Sequence, residues 1–126
     1  MKNKESVEMY LKAIYLLREA GVRIHMVDVA AYLGFSKSSV SVAMKKLEKL
    51  GLVAISDNKQ LSLTEEGEKI ARSVVEKSRF FTEGLMALGV PKNVAEQDAC
   101  RIEHVLSEES FEAMKKFFNQ NDLFIN

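Results

Sequence analysis

Cys100, Glu103 and His104 stand at i, i+3 and i+4 in the run Ala99-Cys100-Arg101-Ile102-Glu103-His104. On a helix these positions share one face, so a thiol, a carboxylate and an imidazole converge on one point. All three are metal-ligand types, running from soft sulfur to hard oxygen. Cys100 is the only cysteine of the 126-residue chain, and His104 is one of two histidines. An isolated cysteine here would read first as a packed core thiol. The carboxylate and imidazole on the same face make metal binding the better reading. A thiol hydrolase built on Cys100 and His104 is the poorer one, because no oxyanion loop or orienting third group accompanies the pair.

The trio needs a helix to carry it. Residues 91–106 supply one, with Pro91 near its start and an apolar stripe of Ala95, Ala99, Ile102 and Leu106. Two of those four are alanines, which predicts close packing against a neighbour. Cys100, Glu103 and His104 lie beside the stripe. His25, the other histidine, reads as a surface residue remote from this cluster.

Upstream, Val7, Tyr10, Leu11, Ile14 and Leu17 repeat at helical spacing over residues 5–20, and Gly21 ends the helix. A short helix over 26–33, a break at Gly34 and a third helix over 37–50 capped by Ser36 come next. Residues 52–56 and 60–63 form a hairpin across the turn Asp57-Asn58. A long helix follows from Thr64 to about Leu88, then the 91–106 helix and a last one through Phe118. The expected fold is mainly α: a winged helix-turn-helix over residues 1–64 and a helical metal-binding and dimerisation domain over 65–126. Phe80, Phe81, Leu85, Met86, Leu88, Phe111, Phe117 and Phe118 serve either the core of the second domain or a homodimer surface.

The third helix starts Ser36-Lys37-Ser38-Ser39-Val40-Ser41. Its small polar first turn permits close approach to a duplex, and its hydroxyls and free N–H groups suit phosphates or base edges. Ser-rich starts are also simply good caps. The ordered set of helix, glycine turn, Ser-rich helix and hairpin carries the DNA-binding reading. Lys45, Lys46 and Lys49 add charge along the helix, and Lys59 at the hairpin tip suits a backbone or minor-groove contact. The expected DNA-contacting set is Phe35, Ser36, Lys37, Ser38, Ser39, Val42, Lys46 and Lys59.

Net charge is zero but divided: residues 1–79 carry 14 Lys and Arg against 10 Asp and Glu, and residues 80–126 carry 4 against 8. A basic front and an acidic back fit a division of labour without proving nucleic-acid binding. No apolar run approaches a membrane span, and the N-terminus lacks the apolar segment of a signal peptide. A lone cysteine forms no internal disulfide. The expected location is the cytoplasm, with no membrane partner.

The segment Glu8-Met9-Tyr10-Leu11-Lys12-Ala13-Ile14-Tyr15-Leu16-Leu17, followed by a winged helix and later Ala99-Cys100-Arg101-Ile102-Glu103-His104-Val105-Leu106-Ser107, resembles the diphtheria toxin repressor family of metal-dependent regulators. The likeness covers nearly the whole chain in order. It implies a metal-dependent repressor, not an enzyme, that binds palindromic double-stranded operator DNA as a homodimer and controls metal-uptake genes. It also implies that the first helix meets the 91–106 helix at a divalent-metal site with ligands Met9, Cys100, Glu103 and His104, the Cys100 carbonyl being a further possible ligand. Spacing alone does not bring Met9 there.

Three departures from the family stand out. Relatives carry a histidine in the long helix where this chain reads Lys77-Ser78-Arg79, and Glu96 replaces another, so an ancillary metal site of the usual kind is not expected. The chain ends at Asn126 without an SH3-like domain and resembles the compact members. Val42 stands where a polar reader is often found, so a different operator sequence is expected. Sulfur with imidazole resembles the iron-type pattern and points to Fe²⁺, with Mn²⁺ the alternative activator and Co²⁺, Ni²⁺ or Zn²⁺ binding in vitro. A metal-independent winged-helix regulator, with Cys100 as a redox or structural thiol, is the remaining rival.

Overall fold

The computed structural model describes residues 4–120, so the outermost ends of both expected domains lie outside the described residues. The order is α1 (Lys4–Glu19), α2 (Met26–Leu33), α3 (Lys37–Lys49), β1 (Val53–Ile55), β2 (Leu61–Leu63), α4 (Glu65–Ala87), α5 (Lys92–Val105) and α6 (Glu108–Gln120). The chain divides into two compact units inside α4, between Ser73 and Val74. No helix among the described residues is long and apolar enough to cross a membrane.

In the first unit, the helical spacing of α1 buries Tyr10, Leu11 and Ile14 against Val29, Val40, Met44 and Leu47 of the next two helices. The α2–α3 turn depends on Gly34, whose φ of 75° lies in the left-handed region that glycine enters without a Cβ penalty. There the Gly34 and Phe35 N–H groups both donate to the Ala30 carbonyl, at 2.8 and 3.0 Å. Ser36 caps α3, its Oγ accepting from the Ser39 N–H at 3.1 Å.

β1 and β2 pair antiparallel in the register Val53↔Leu63, Ala54↔Ser62, Ile55↔Leu61. Val53 and Leu61 turn inward while Ala54 and Ser62 face solvent. A two-stranded hairpin is marginal alone. This one is anchored where the Leu61 N–H donates to the Ile24 carbonyl at 2.7 Å.

The start of α4 belongs to the same unit. Thr64 Oγ1 donates to the Gly51 carbonyl at 2.6 Å and accepts from the Gly67 N–H at 3.1 Å. Gly67 is required by contact rather than by φ: a Cβ there would stand 2.0 Å from the Leu52 carbonyl oxygen. Ala71 completes the core. Arg18 grips Glu68 with both guanidinium nitrogens, at 2.5 and 2.8 Å, tying the end of α1 to α4. This fork raises the Arg18 pKa and holds the Glu68 carboxyl below its ordinary range.

The second unit is built on aromatics. Phe81, Ala99 and Phe111 form its core, flanked by Phe80, Ile102, Leu106 and Met114. Phe80 stands edge-on to both Phe81 and Phe111, with centroids 5.1 and 5.3 Å apart. The alanines of α5 permit the expected close packing, both being fully buried. Lys77 is 2% exposed, and its Nζ lies 2.5 Å from Glu108 Oε1 at the start of α6. Pro91 sits just before α5 as its N-cap residue. The aromatic and aliphatic surplus is thus partitioned: Phe81 and Phe111 fill the core, while Met86, Leu88 and Phe117 are exposed.

Candidate functional site

Helix α5 presents Cys100, Glu103 and His104 together. Among the described residues this is the one group of three such side chains whose ligating atoms all lie within 4.8 Å of one another. Glu103 is 1% exposed, although a carboxylate is costly to bury without a partner. Its Oε2 lies 3.2 Å from His104 Nε2, and the imidazole side chain is itself 4% exposed. Cys100 is exposed, which leaves one side of the cluster open to an entering ion.

The donor set fits a divalent transition metal. Ligands at ~2.0–2.3 Å from a shared ion stand up to ~4.4 Å apart. At tetrahedral angles the spacing is ~3.3–3.8 Å, so ligating atoms that lie within 4.8 Å of one another close on an ion by moving about 1 Å. A buried carboxylate held against a ligand-type imidazole, with a thiol beside both, is the arrangement a metal stabilises, because the cation offsets the burial of the anion.

Met9 belongs to the first unit, the other three predicted ligands to the second. Met9 is half-buried on α1 and packs against the first core. Beside it on α1, Glu8 is a buried carboxylate whose Oε2 lies 3.9 Å from the Lys4 ammonium. Of the positions that departed from the family pattern, Ser78 is half-buried and Glu96 exposed.

The DNA-contacting set sorts into two grooves and a ridge. Phe35, Ser39, Val42 and Lys46 line one groove, together with Met9 and Tyr10. The Phe35 ring meets Tyr10 edge-on at 6.0 Å. Lys37 and Lys59 line a different groove, with His25, Ser41 and Lys45. Ser38 is exposed between them, and Val42, at the rim of the first groove, is 56% exposed. Ser36 is engaged locally: beyond its cap, its hydroxyl donates to Ser39 Oγ at 2.9 Å and lies 3.2 Å from Ser38 Oγ. The capping role of the Ser-rich start is therefore real, and it holds the three hydroxyls in one cluster.

His25, Ser41 and Lys45 line the groove of Lys37 and Lys59 beyond the expected DNA-contacting set. Lys45 and Ser41 follow Lys37 at i+8 and i+4, a stripe visible in the sequence. His25 had no such signal, because it reaches the groove through tertiary placement at the start of α2.

The family model described as the iron-dependent repressor N-terminal DNA-binding domain matches residues 3–61, and that described as the metal-binding and dimerisation domain matches residues 64–122. The chain belongs to the iron-dependent repressor family. Members of this family, also called the diphtheria toxin repressor family, are transcriptional regulators, not enzymes, and this chain is a metal-dependent transcriptional repressor of that kind. It is 36% identical over 115 residues to the transcriptional regulator MntR of Escherichia coli O6:H1, covering 90% of this chain and 74% of that protein. It is 34% identical over 116 residues to the iron-dependent repressor IdeR of Mycobacterium bovis, covering 91% of this chain and 50% of that one. Among solved structures, the manganese regulator SloR superposes with a TM-score of 0.79 at 32% identity, over 90% of this chain and 53% of that chain. This repressor chain thus spans three-quarters of one relative and about half of the other two. Its winged unit carries the family's DNA-binding part, and α5 lies in the part that binds metal and dimerises.

Proposed function

We propose that this chain is a cytoplasmic, Fe²⁺-activated repressor that binds a palindromic operator as a homodimer and controls metal-uptake genes. The observation that carries the reading is the convergence of Cys100, Glu103 and His104 on one face of α5, with a buried carboxylate at its centre. Met9 is the proposed fourth ligand. The thiol of Cys100 and the thioether of Met9 are the soft donors that favour Fe²⁺ over Mn²⁺.

The roles divide as follows. Glu103 supplies negative charge, His104 a neutral nitrogen once its ligating atom is unprotonated, Cys100 a thiolate, and Met9 ties α1 to the set. A bound ion supplies the cross-link that holds these groups together. Fixing α1 fixes the helix against which α2 and α3 pack, so the spacing of two recognition helices matches one turn of DNA, ~34 Å. Metal and operator then tighten each other's binding by the same factor. The exposed apolar side chains of the second unit, Leu88 at 80%, Val105 at 79% and Phe117 at 57% among them, form the proposed homodimer surface.

Manganese is the second reading, favoured by the names of two relatives: the 32%-identical SloR is described as a manganese regulator, and MntR is 36% identical. Selection of bound duplexes from a random-sequence library, run anaerobically with Fe²⁺, with Mn²⁺ and with a chelator, separates these readings. A palindrome enriched with Fe²⁺ and absent with chelator supports the proposal. Enrichment with Mn²⁺ alone favours the second reading, and equal enrichment with chelator overturns both.

A further inference from the structure

An apolar recess opens in the second unit, between the later turns of α4 and the later turns of α6. Phe80, Phe81, Leu85, Leu88, Met114 and Phe118 line it, around a volume of about 220 Å³. Gly84 also lines it and contributes no side chain to fill it. No charged side chain lines the recess among the described residues. Ring packing sets its walls: Phe80 stands edge-on to Phe81 at 5.1 Å and tilts against Phe118 at 5.5 Å. Cavities of about 150 Å³ with such a lining stay dry and hold a benzene ring. The recess therefore has room for one aromatic side chain.

The sequence after α6 supplies one. Helix α6 ends at Gln120, and Asn121-Asp122-Leu123-Phe124-Ile125-Asn126 follows. Three consecutive apolar residues stand there between polar flanks, a run that water solvates poorly unless it meets an apolar surface. Its one neighbouring charge, Asp122, lies on the side nearest α6 and outside the run. The distance is short. Phe118 already lines the recess, and the six residues from there to Phe124 span up to ~20 Å. Packed helices lie only ~8–10 Å apart, so the segment reaches α4 without leaving its own chain.

We propose that Phe124 seats in this recess of its own chain, with Leu123 and Ile125 against the rim, so that the segment after α6 closes the aromatic core of the second unit. Leu88 belongs both to the recess and to the proposed homodimer surface. The seated segment thus forms part of the face that a second chain meets. The seat itself depends on neither the metal nor the DNA reading.

The test uses the full, metal-free chain in two measurements. The first is a thermal double-mutant cycle of Phe124→Ala and Gly84→Leu. Phe124→Ala is expected to lower the melting temperature by roughly 3–8 °C. A leucine at position 84 fills the recess, so in that background the same substitution should shift melting by under ~1 °C. An equal drop in both backgrounds, or no drop in either, overturns the seat. The second measurement does not rely on the glycine variant. Leu88→Cys and Ile125→Cys are combined in a Cys100→Ala chain and oxidised mildly. A disulfide within one chain, migrating as monomer on a denaturing gel, is the expected result. A covalent dimer places the segment in the partner's recess and overturns the own-chain seat. Free thiols at both positions overturn the seat altogether.

Discussion

Glu103 Oε2 lies 3.2 Å from His104 Nε2 although the two residues are neighbours in sequence, and neither side chain is more than 4% exposed. Successive helical residues point ~100° apart, so the meeting requires both side chains to fold back towards one point. That point is where Cys100 also arrives. Glu103→Gln keeps the shape and hydrogen-bonding capacity of the buried group while removing its charge. The apo protein should melt within a few degrees of wild type. Its Fe²⁺ affinity should fall by at least ~100-fold, beyond the ~10–100-fold typical of losing an outer partner. Isothermal titration under anaerobic conditions measures the second, thermal melting the first.

The Arg18–Glu68 fork makes stability depend on acid. The Arg18 hydrogen bonds hold the Glu68 carboxyl below its ordinary value of 4.5, outweighing the opposing effect of burial. A lowered folded-state pKa stabilises the fold above the unfolded value, and that contribution is lost as pH falls through the folded value. With the Arg18 side chain 43% exposed, solvent screens the pair and it contributes about 1 kcal/mol at neutral pH. Thermal melts of wild type and Glu68→Gln should differ by that amount at pH 7 and converge towards pH 3. A gap that stays constant or widens in acid contradicts the assignment.

Lys77 and Glu108 should respond unequally to substitution. Lys77 is buried and Glu108 is 61% exposed at the side chain, so removing each leaves its partner in a different environment. Lys77→Met leaves a carboxylate that water can solvate and fills the space with apolar atoms. The expected cost is under ~1 kcal/mol, or none. Glu108→Ala leaves the ammonium buried without this carboxylate, though still 5.8 Å from the Phe111 ring, and should cost ~2–3 kcal/mol. Chemical denaturation of the two variants reads the order, and the reverse order would contradict it.

Leu88 is the most exposed large apolar residue of the second unit. Leu88→Asp removes apolar contact area and places a charge on the proposed homodimer surface. Sedimentation equilibrium should show dimers for wild type and a shift towards monomer for the variant, with helical circular dichroism retained. A monomeric wild type would remove the dimer from the account.

The helices were legible because apolar spacing and caps are local signals. Val7, Tyr10, Leu11 and Ile14 marked α1, and Ser36 marked the start of α3 to the residue. The Cys100–Glu103–His104 trio was equally local, set by helical geometry within five residues. What escaped the sequence depends on approach between distant segments. Nothing near His25 in the chain announces three lysines from α3 and the hairpin around it. The buried charge of Lys77 follows from where α6 begins, and the strain at Lys59 from a turn that a glycine would close more easily. The two groups of predicted DNA-contacting residues look like one patch in sequence, and the fold places them in separate grooves.

The most direct test of the central claim is anaerobic titration of Fe²⁺ into wild type, Cys100→Ala and Met9→Ala, with stoichiometry and affinity read together. The account predicts one high-affinity ion per chain in wild type, its loss in Cys100→Ala, and weakened binding in Met9→Ala. Undiminished high-affinity binding in Cys100→Ala would contradict it.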